Sequence, residues 1–237
     1  MYLPNFSKFD IYVIIGKSHS YLYKKMFQSH DMAIGLERLR MKWIGLTGGI
    51  ATGKSTVKNS LQRLNIPVID ADLISHEITQ IGGLGYQAIV SYFGQNILNS
   101  DQSLNRGKLG DIVFTDRQKL LQLEQLLHPL IQAEVKNRKA KYQSQGEAVC
   151  FYDVPLLFEK NLASQFDQIV LVYAPLTFQV ERIMLRNNLT HTQALARINA
   201  QLPMSEKIQR SHICLDNSTS TEDLNLQVLN LVKVLRV

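Results

Sequence analysis

Gly48-Gly49-Ile50-Ala51-Thr52-Gly53-Lys54-Ser55-Thr56 fits the pattern G-x-x-x-x-G-K-[ST] of a phosphate-binding loop. Its flanks matter as much as the pattern. Trp43-Ile44-Gly45-Leu46-Thr47 ahead of it is short and mostly apolar, as a strand buried on both faces should be. Behind it, Val57, Leu61 and Leu64 recur at helical spacing, so the loop ends on a helix N-terminus. The glycines permit backbone angles at which successive N–H groups converge on phosphate oxygens, and the helix dipole adds partial positive charge there. In this setting Lys54 reaches the β- and γ-phosphates of ATP as a point charge, while the Ser55 hydroxyl ligates Mg²⁺. Residues Gly48 to Thr56 are therefore the expected ATP-binding segment.

Working outward, the chain of 237 residues, 45% hydrophobic, can bury a substantial core as one domain with an insertion or as two small ones. No apolar run approaches the roughly 20 residues needed to cross a bilayer, so no membrane partner is expected. The net charge of +6 and pI near 9.3 could suggest nucleic acid. Its distribution argues otherwise, because residues 1–40 hold six Lys/Arg against three Asp/Glu and the basic residues elsewhere are scattered. A phosphorylated substrate explains the remaining balance, and no nucleic-acid partner is expected. Cys150 and Cys214 have neither metal-ligand spacing nor a disulfide framework, which indicates a reducing, cytoplasmic setting.

From Met41 strand-like and helix-like segments alternate, the signature of an α/β fold with a parallel sheet flanked by helices. A second strand is expected over Ile66 to Asp70. Residues 73–143 then read as a helical insertion with a long stretch around Leu120 to Ile131. Sheet character returns at Ala148 to Val154 and Gln168 to Tyr173. A helix over Leu176 to Leu185 follows, then one opened by a capping box at Thr190 and Gln193, a short strand at Ser211 to Leu215 and a last helix over Leu224 to Leu235. Residues 1–40 show no sustained period beyond the apolar run Ile11 to Ile15. They read as a poorly ordered extension or the product of an upstream translation start, ahead of a domain spanning 41–237.

In an open parallel sheet the ligand crevice lies beyond the carboxyl ends of the strands. Asp72, after the second strand, is the candidate carboxylate for positioning or deprotonating an accepting hydroxyl; a helix N-cap is its structural alternative, a role open to Asp70 instead. Asp153 ends an apolar strand as a Walker B acid does and could hold Mg²⁺ through water. Arg182 and Arg186 share a helix face, and Arg197 lies on the capped helix that follows, so a helical lid could close arginines over a triphosphate. Of these, Arg186 and Arg197 are expected to be catalytic. Asp216-Asn217-Ser218 could meet the adenine edge through Asn217, or be an ordinary turn.

The ordered set Thr47 to Thr56, Val68-Ile69-Asp70-Ala71-Asp72, Leu127-His128-Pro129, Val154-Pro155-Leu156-Leu157-Phe158-Glu159 and Asp216-Asn217-Ser218 resembles the dephospho-CoA kinase family from about Met41 onward. The resemblance implies a P-loop kinase fold in which ATP, with Mg²⁺, phosphorylates the ribose 3′-hydroxyl of dephospho-CoA in the last step of coenzyme A synthesis. It also implies that Asp72 acts on that hydroxyl, that the helical insertion over about 73–143 holds the CoA end of the substrate, and that residues of about 186–202 form the lid. The expected protein is a monomer or weak homo-oligomer. Ala51-Thr52 stands where Gly-Ser is frequent in the family. Another small-molecule P-loop kinase, such as a nucleoside monophosphate kinase, and a nucleic-acid-dependent ATPase are the competing classes.

Overall fold

The computed structural model describes residues 13–15 and 40–236. Strand β1, Val13–Ile15, is followed by β2, Lys42–Gly48, the loop and helix α1, Lys54–Arg63. Next come β3, Val68–Asp70, then α2, Ala71–Ile78, α3, Leu84–Phe93, α4, Arg106–Thr115, and the long α5, Arg117–Ser144. The chain returns to the sheet with β4, Val149–Asp153, and β5, Gln168–Tyr173, before α6, Leu176–Asn187, and α7, His191–Asn199. It ends with α8, Met204–Gln209, β6, Ile213–Asp216, and α9, Thr221–Leu235.

The strands lie in the order β1-β6-β5-β2-β4-β3. β2 pairs in parallel with both β4 and β5, which places the loop strand inside the sheet. Ile44 and Leu46 of β2 face one side and pack with Val57 and Leu61 of α1 and Leu224, Val228 and Leu231 of α9. The alternation of a strand sends Trp43 to the other side, where its ring stacks on Tyr152 at 5.5 Å and on Phe166 at 6.0 Å. With both faces covered, β2 is the continuous apolar run that a parallel interior strand requires.

Two compact units divide the chain, one of residues 1–68 and 143–237, the other Ile69–Tyr142. The second unit has its own core, in which Ile89, Ile97, Leu104, Leu109 and Val113 gather Leu120, Leu123 and Leu127 from α5. Arg138 of α5 binds Glu134 at 2.7 Å and also pairs with Glu77 of α2. Pro129 sits inside α5 and removes one backbone donor from its ladder without ending it.

Two elements lie outside those read from the sequence. Val13–Ile15, within the segment read as a poorly ordered extension, pairs in parallel with β6 and so covers a sheet edge that would otherwise be open; the rest of 1–39 lies outside the described residues. Helix α8 was not expected, since six residues are too short to show a period. Among the described residues no helix is long and apolar enough to cross a membrane. Cys150 and Cys214 are buried without a disulfide, and burial pushes the Cys214 thiol up to about 12, with the Asp216 carboxylate adding to the effect.

Candidate active site

The buried strand β2 delivers the chain to the loop, where Ala51 and Gly53 both take left-handed backbone angles, φ 60 and φ 96. These turns let the loop reverse onto α1, and the Thr52 hydroxyl donates to Gly49 O at 2.9 Å to close it. Gly53 is the N-cap of α1. That cap supplies no side-chain acceptor, and the first turn contains no acid. The opening N–H groups of α1 thus lack the usual side-chain partner, the arrangement that suits an incoming phosphate.

Residues distant in sequence hold this loop from several sides. Asn217, buried after β6, donates its side-chain amide to Thr52 O at 2.8 Å, and a Cβ on Gly53 would collide with that amide. Arg182 of α6 donates to Ala51 O at 3.3 Å and to Asn217 O at 3.4 Å. Gln201 accepts the Ile50 N–H at 2.9 Å. Helices α6 and α7 form a hairpin whose small core of Val180, Ile183 and Ala194 packs on Ile50 and Ala51. A Cβ on Gly49 would come within 2.8 Å of Met204 Cε and 3.1 Å of Gln179 Oε1, the ends of two side chains that would have to give way.

Lys54 extends from the loop to Asp153 at the end of β4 and pairs with it, while Lys58 Nζ lies 3.8 Å from the same carboxylate. Asp153 is 5% exposed, so its charge is compensated by two lysines rather than by water. Ser55 is exposed at the start of α1. Among the described residues no group of three or more His, Cys, Asp or Glu side chains could enclose a metal ion. A hydroxyl and one carboxylate suit a cation that keeps most of its waters and takes phosphate oxygens from its nucleotide, which is the habit of Mg²⁺.

The remaining expected residues fall out differently. Asp70 is the N-cap of α2, accepting from Asp72 N at 2.9 Å and Leu73 N at 3.1 Å. Capping is therefore done by Asp70, and Asp72 stands exposed on the first turn of α2, in the second unit. Arg186 and Arg197 are exposed, and Arg186 donates to the neighbouring Asn187 Oδ1 at 3.1 Å. Arg182, not Arg186, is the arginine of α6 that touches the loop. Asn217, read from the sequence as an adenine-edge residue or part of an ordinary turn, places one amide N–H on Thr52 O.

Sequence reading missed a buried polar group beyond the α6–α7 hairpin. Lys207 of α8 is 1% exposed and lies 2.8 Å from Glu159 Oε1, the last residue of the Pro155 to Glu159 segment. Glu159 Oε1 also accepts Leu202 N–H at 3.1 Å. Burial raises the affinity of Glu159 for a proton, but the Lys207 ammonium beside it and the Leu202 backbone N–H prevail and hold its carboxyl below the usual range. Gln201, Leu202 and Lys207 thus tie the end of the α6–α7 hairpin to both the loop and the segment after β4. No spacing rule announces such a contact. In the sequence Glu159 stood only as the last residue of the Val154 to Glu159 motif.

Comparison with known proteins fits this geometry. The sequence model of the dephospho-CoA kinase family matches residues 42–223. A dephospho-CoA kinase of Listeria innocua is 43% identical over 192 residues, covering 81% of this chain and 96% of that relative. One from Lactobacillus johnsonii is 44% identical over 191 residues, with the same shares of each chain. Among solved structures, the dephospho-CoA kinase of Campylobacter jejuni superposes with a TM-score of 0.60 at 27% identity, over 82% of this chain and 97% of its own. A family model spanning most of the chain and relatives above 40% identity settle the assignment: the chain belongs to the dephospho-CoA kinase family.

Proposed function

We propose that the chain transfers the γ-phosphoryl group of ATP to the ribose 3′-hydroxyl of dephospho-CoA, with the following division of labour among its residues. The observation that carries the reading is the loop itself: an uncapped helix start, with Lys54 joined to a buried carboxylate at the end of the neighbouring strand. Backbone N–H groups of Gly48 to Thr56 cradle the phosphates. Lys54 exchanges its Asp153 partner for the β- and γ-phosphates as the nucleotide enters. Ser55 and, through water, Asp153 are the residues that would hold Mg²⁺ brought in with ATP, which would supply neutralisation of phosphate charge.

Asp72 accepts the proton of the 3′-hydroxyl as the new P–O bond forms and the bond to ADP breaks. Its exposed, uncapped carboxylate is free for that task because Asp70 has taken over the helix cap. Arg186 and Arg197, solvent-facing on the hairpin, supply positive charge to the transferring group when the lid over about 186–202 closes, and excluding water strengthens that attraction. Asn217 acts on ATP through the loop backbone. The helical unit supplies the acceptor site. The same reading has the enzyme working in the cytoplasm as a monomer or weak homo-oligomer.

The deciding experiment is ADP release with dephospho-CoA, AMP, CMP, dTMP and single-stranded DNA as acceptors. Dephospho-CoA should stimulate far above the rest, with a product heavier by one phosphoryl group on the 3′-oxygen. Preference for AMP or dTMP would move the chain to the nucleotide kinases, and stimulation by DNA to the ATPases. Lys54→Ala should abolish most ATP use and leave the circular dichroism spectrum unchanged.

A further inference from the structure

Lys54 and Lys58 stand one turn apart on α1, and like charges at that spacing repel. Here they meet on one acid: Lys54 pairs with Asp153 Oδ1, and Lys58 Nζ lies 3.8 Å from Asp153 Oδ2. The side chains of the two lysines are 18% and 23% exposed and that of Asp153 5%, so water screens the attraction only weakly. The two cations differ in placement. Lys54 belongs to the phosphate loop, whereas Lys58 lies past the first turn of α1, beyond the helix N–H groups that suit a phosphate.

We propose that Lys58 is the standing counter-ion of Asp153, a positioning residue that keeps this carboxylate compensated while Lys54 moves to the phosphates of ATP. The proposal rests on the exchange of partners in the kinase reading above and deepens it by naming what stays on Asp153 afterwards. A carboxylate this buried holds its charge at low cost only beside a partner. With Lys54 as its one cation, every nucleotide that drew Lys54 away would strand that charge, and the cost would be subtracted from the affinity for ATP. Lys58 on the second oxygen lowers this cost. It frees Lys54 to move and leaves Asp153 charged and in place at the end of β4.

The test is equilibrium binding of ATP to the full chain in a chelator, so that no divalent cation takes the place of a lysine. Lys58→Met keeps the apolar stem and removes the charge. It should raise the dissociation constant for ATP about 5- to 50-fold, between the scale of an exposed ion pair and that of a buried one. Lys58→Arg should restore most of the affinity. Combined with Asp153→Asn, which removes the charge that needs compensation, Lys58→Met should change ATP binding by less than about 2-fold. A loss of full size in the Asp153→Asn background would make Lys58 a direct partner of the phosphates, and an unchanged dissociation constant in Lys58→Met, whatever its denaturant midpoint, would make it a structural bridge; either result overturns the proposal. Lys54→Ala separates the two levels of the argument. If that variant binds ATP as tightly as the wild type, the exchange of partners in the kinase reading falls and this proposal with it. If Lys54→Ala weakens ATP binding and the Lys58–Asp153 cycle shows no coupling, the role of Lys58 alone is overturned.

Discussion

Lys207 Nζ lies 2.8 Å from Glu159 Oε1, and the lysine is almost wholly withdrawn from water. Removing one partner of such a pair leaves an uncompensated buried charge. Lys207→Ala should therefore destabilise the chain by about 3 kcal/mol, read as a lower denaturant midpoint. A loss under about 0.5 kcal/mol would mean that the pair behaves as a surface bridge.

The same pair predicts a pH dependence. Glu159 has its carboxyl held below its ordinary value of 4.5 in the folded chain, so the folded state binds fewer protons there than the unfolded one. Its contribution is complete above the ordinary value and is lost as pH falls through the lower folded value. Glu159→Gln should flatten that part of the stability profile. An unchanged acid limb in the variant would assign the acid sensitivity to other carboxylates.

Ala51 is a non-glycine residue at φ 60 in the loop, where a Cβ is strained. Ala51→Gly should raise stability by about 1 kcal/mol while keeping ATP use within a few-fold. Calorimetry and initial rates check both. A drop in stability would show that the packing of Ala51 against the α6–α7 hairpin outweighs the strain.

Gln201 accepts the Ile50 N–H at 2.9 Å, so Gln201→Ala removes a strut of the loop. KM for ATP should rise about 5-fold, the worth of one ordinary hydrogen bond, with KM for dephospho-CoA nearly constant. Equal rises in both constants would place Gln201 in general folding.

Asp70 and Asp72 are separable by mutation. Asp70→Ala should cost about 1 kcal/mol of stability, as the loss of an N-cap does. Asp72→Asn should instead lower the single-turnover rate by roughly 10²- to 10⁴-fold, the usual scale of general-base catalysis, with small changes in substrate dissociation constants. The reverse pattern, a stability loss at 72 and a rate loss at 70, would exchange their roles.

Much of the site was legible because its logic is local. The loop pattern, the buried strand before it and the capping box at Thr190 and Gln193 are settled by neighbours within a few residues, and the structure has each of them. Asp153 was legible too, since an acid closing an apolar strand stands out from its surroundings. Arg182 was seen only as the companion of Arg186. Helical spacing puts two arginines on one face but does not say which of them reaches a loop 131 residues earlier in the chain. Asn217 had the same difficulty: a turn residue and a loop brace look alike until the partner is known.

By itself the sequence determined the class of fold, the position of the phosphate loop and the family, because periodicity, glycine placement and ordered motifs are properties of short stretches of chain. The tertiary structure alone decided which polar groups became structural. It chose Asp70 over Asp72 as the cap, Asn217 and Arg182 as braces for the loop, and Glu159 with Lys207 as a buried pair. The physical reason is that the worth of a charge or an amide depends on its burial and its partner. Both are set by which distant segments the sheet and its helices bring together.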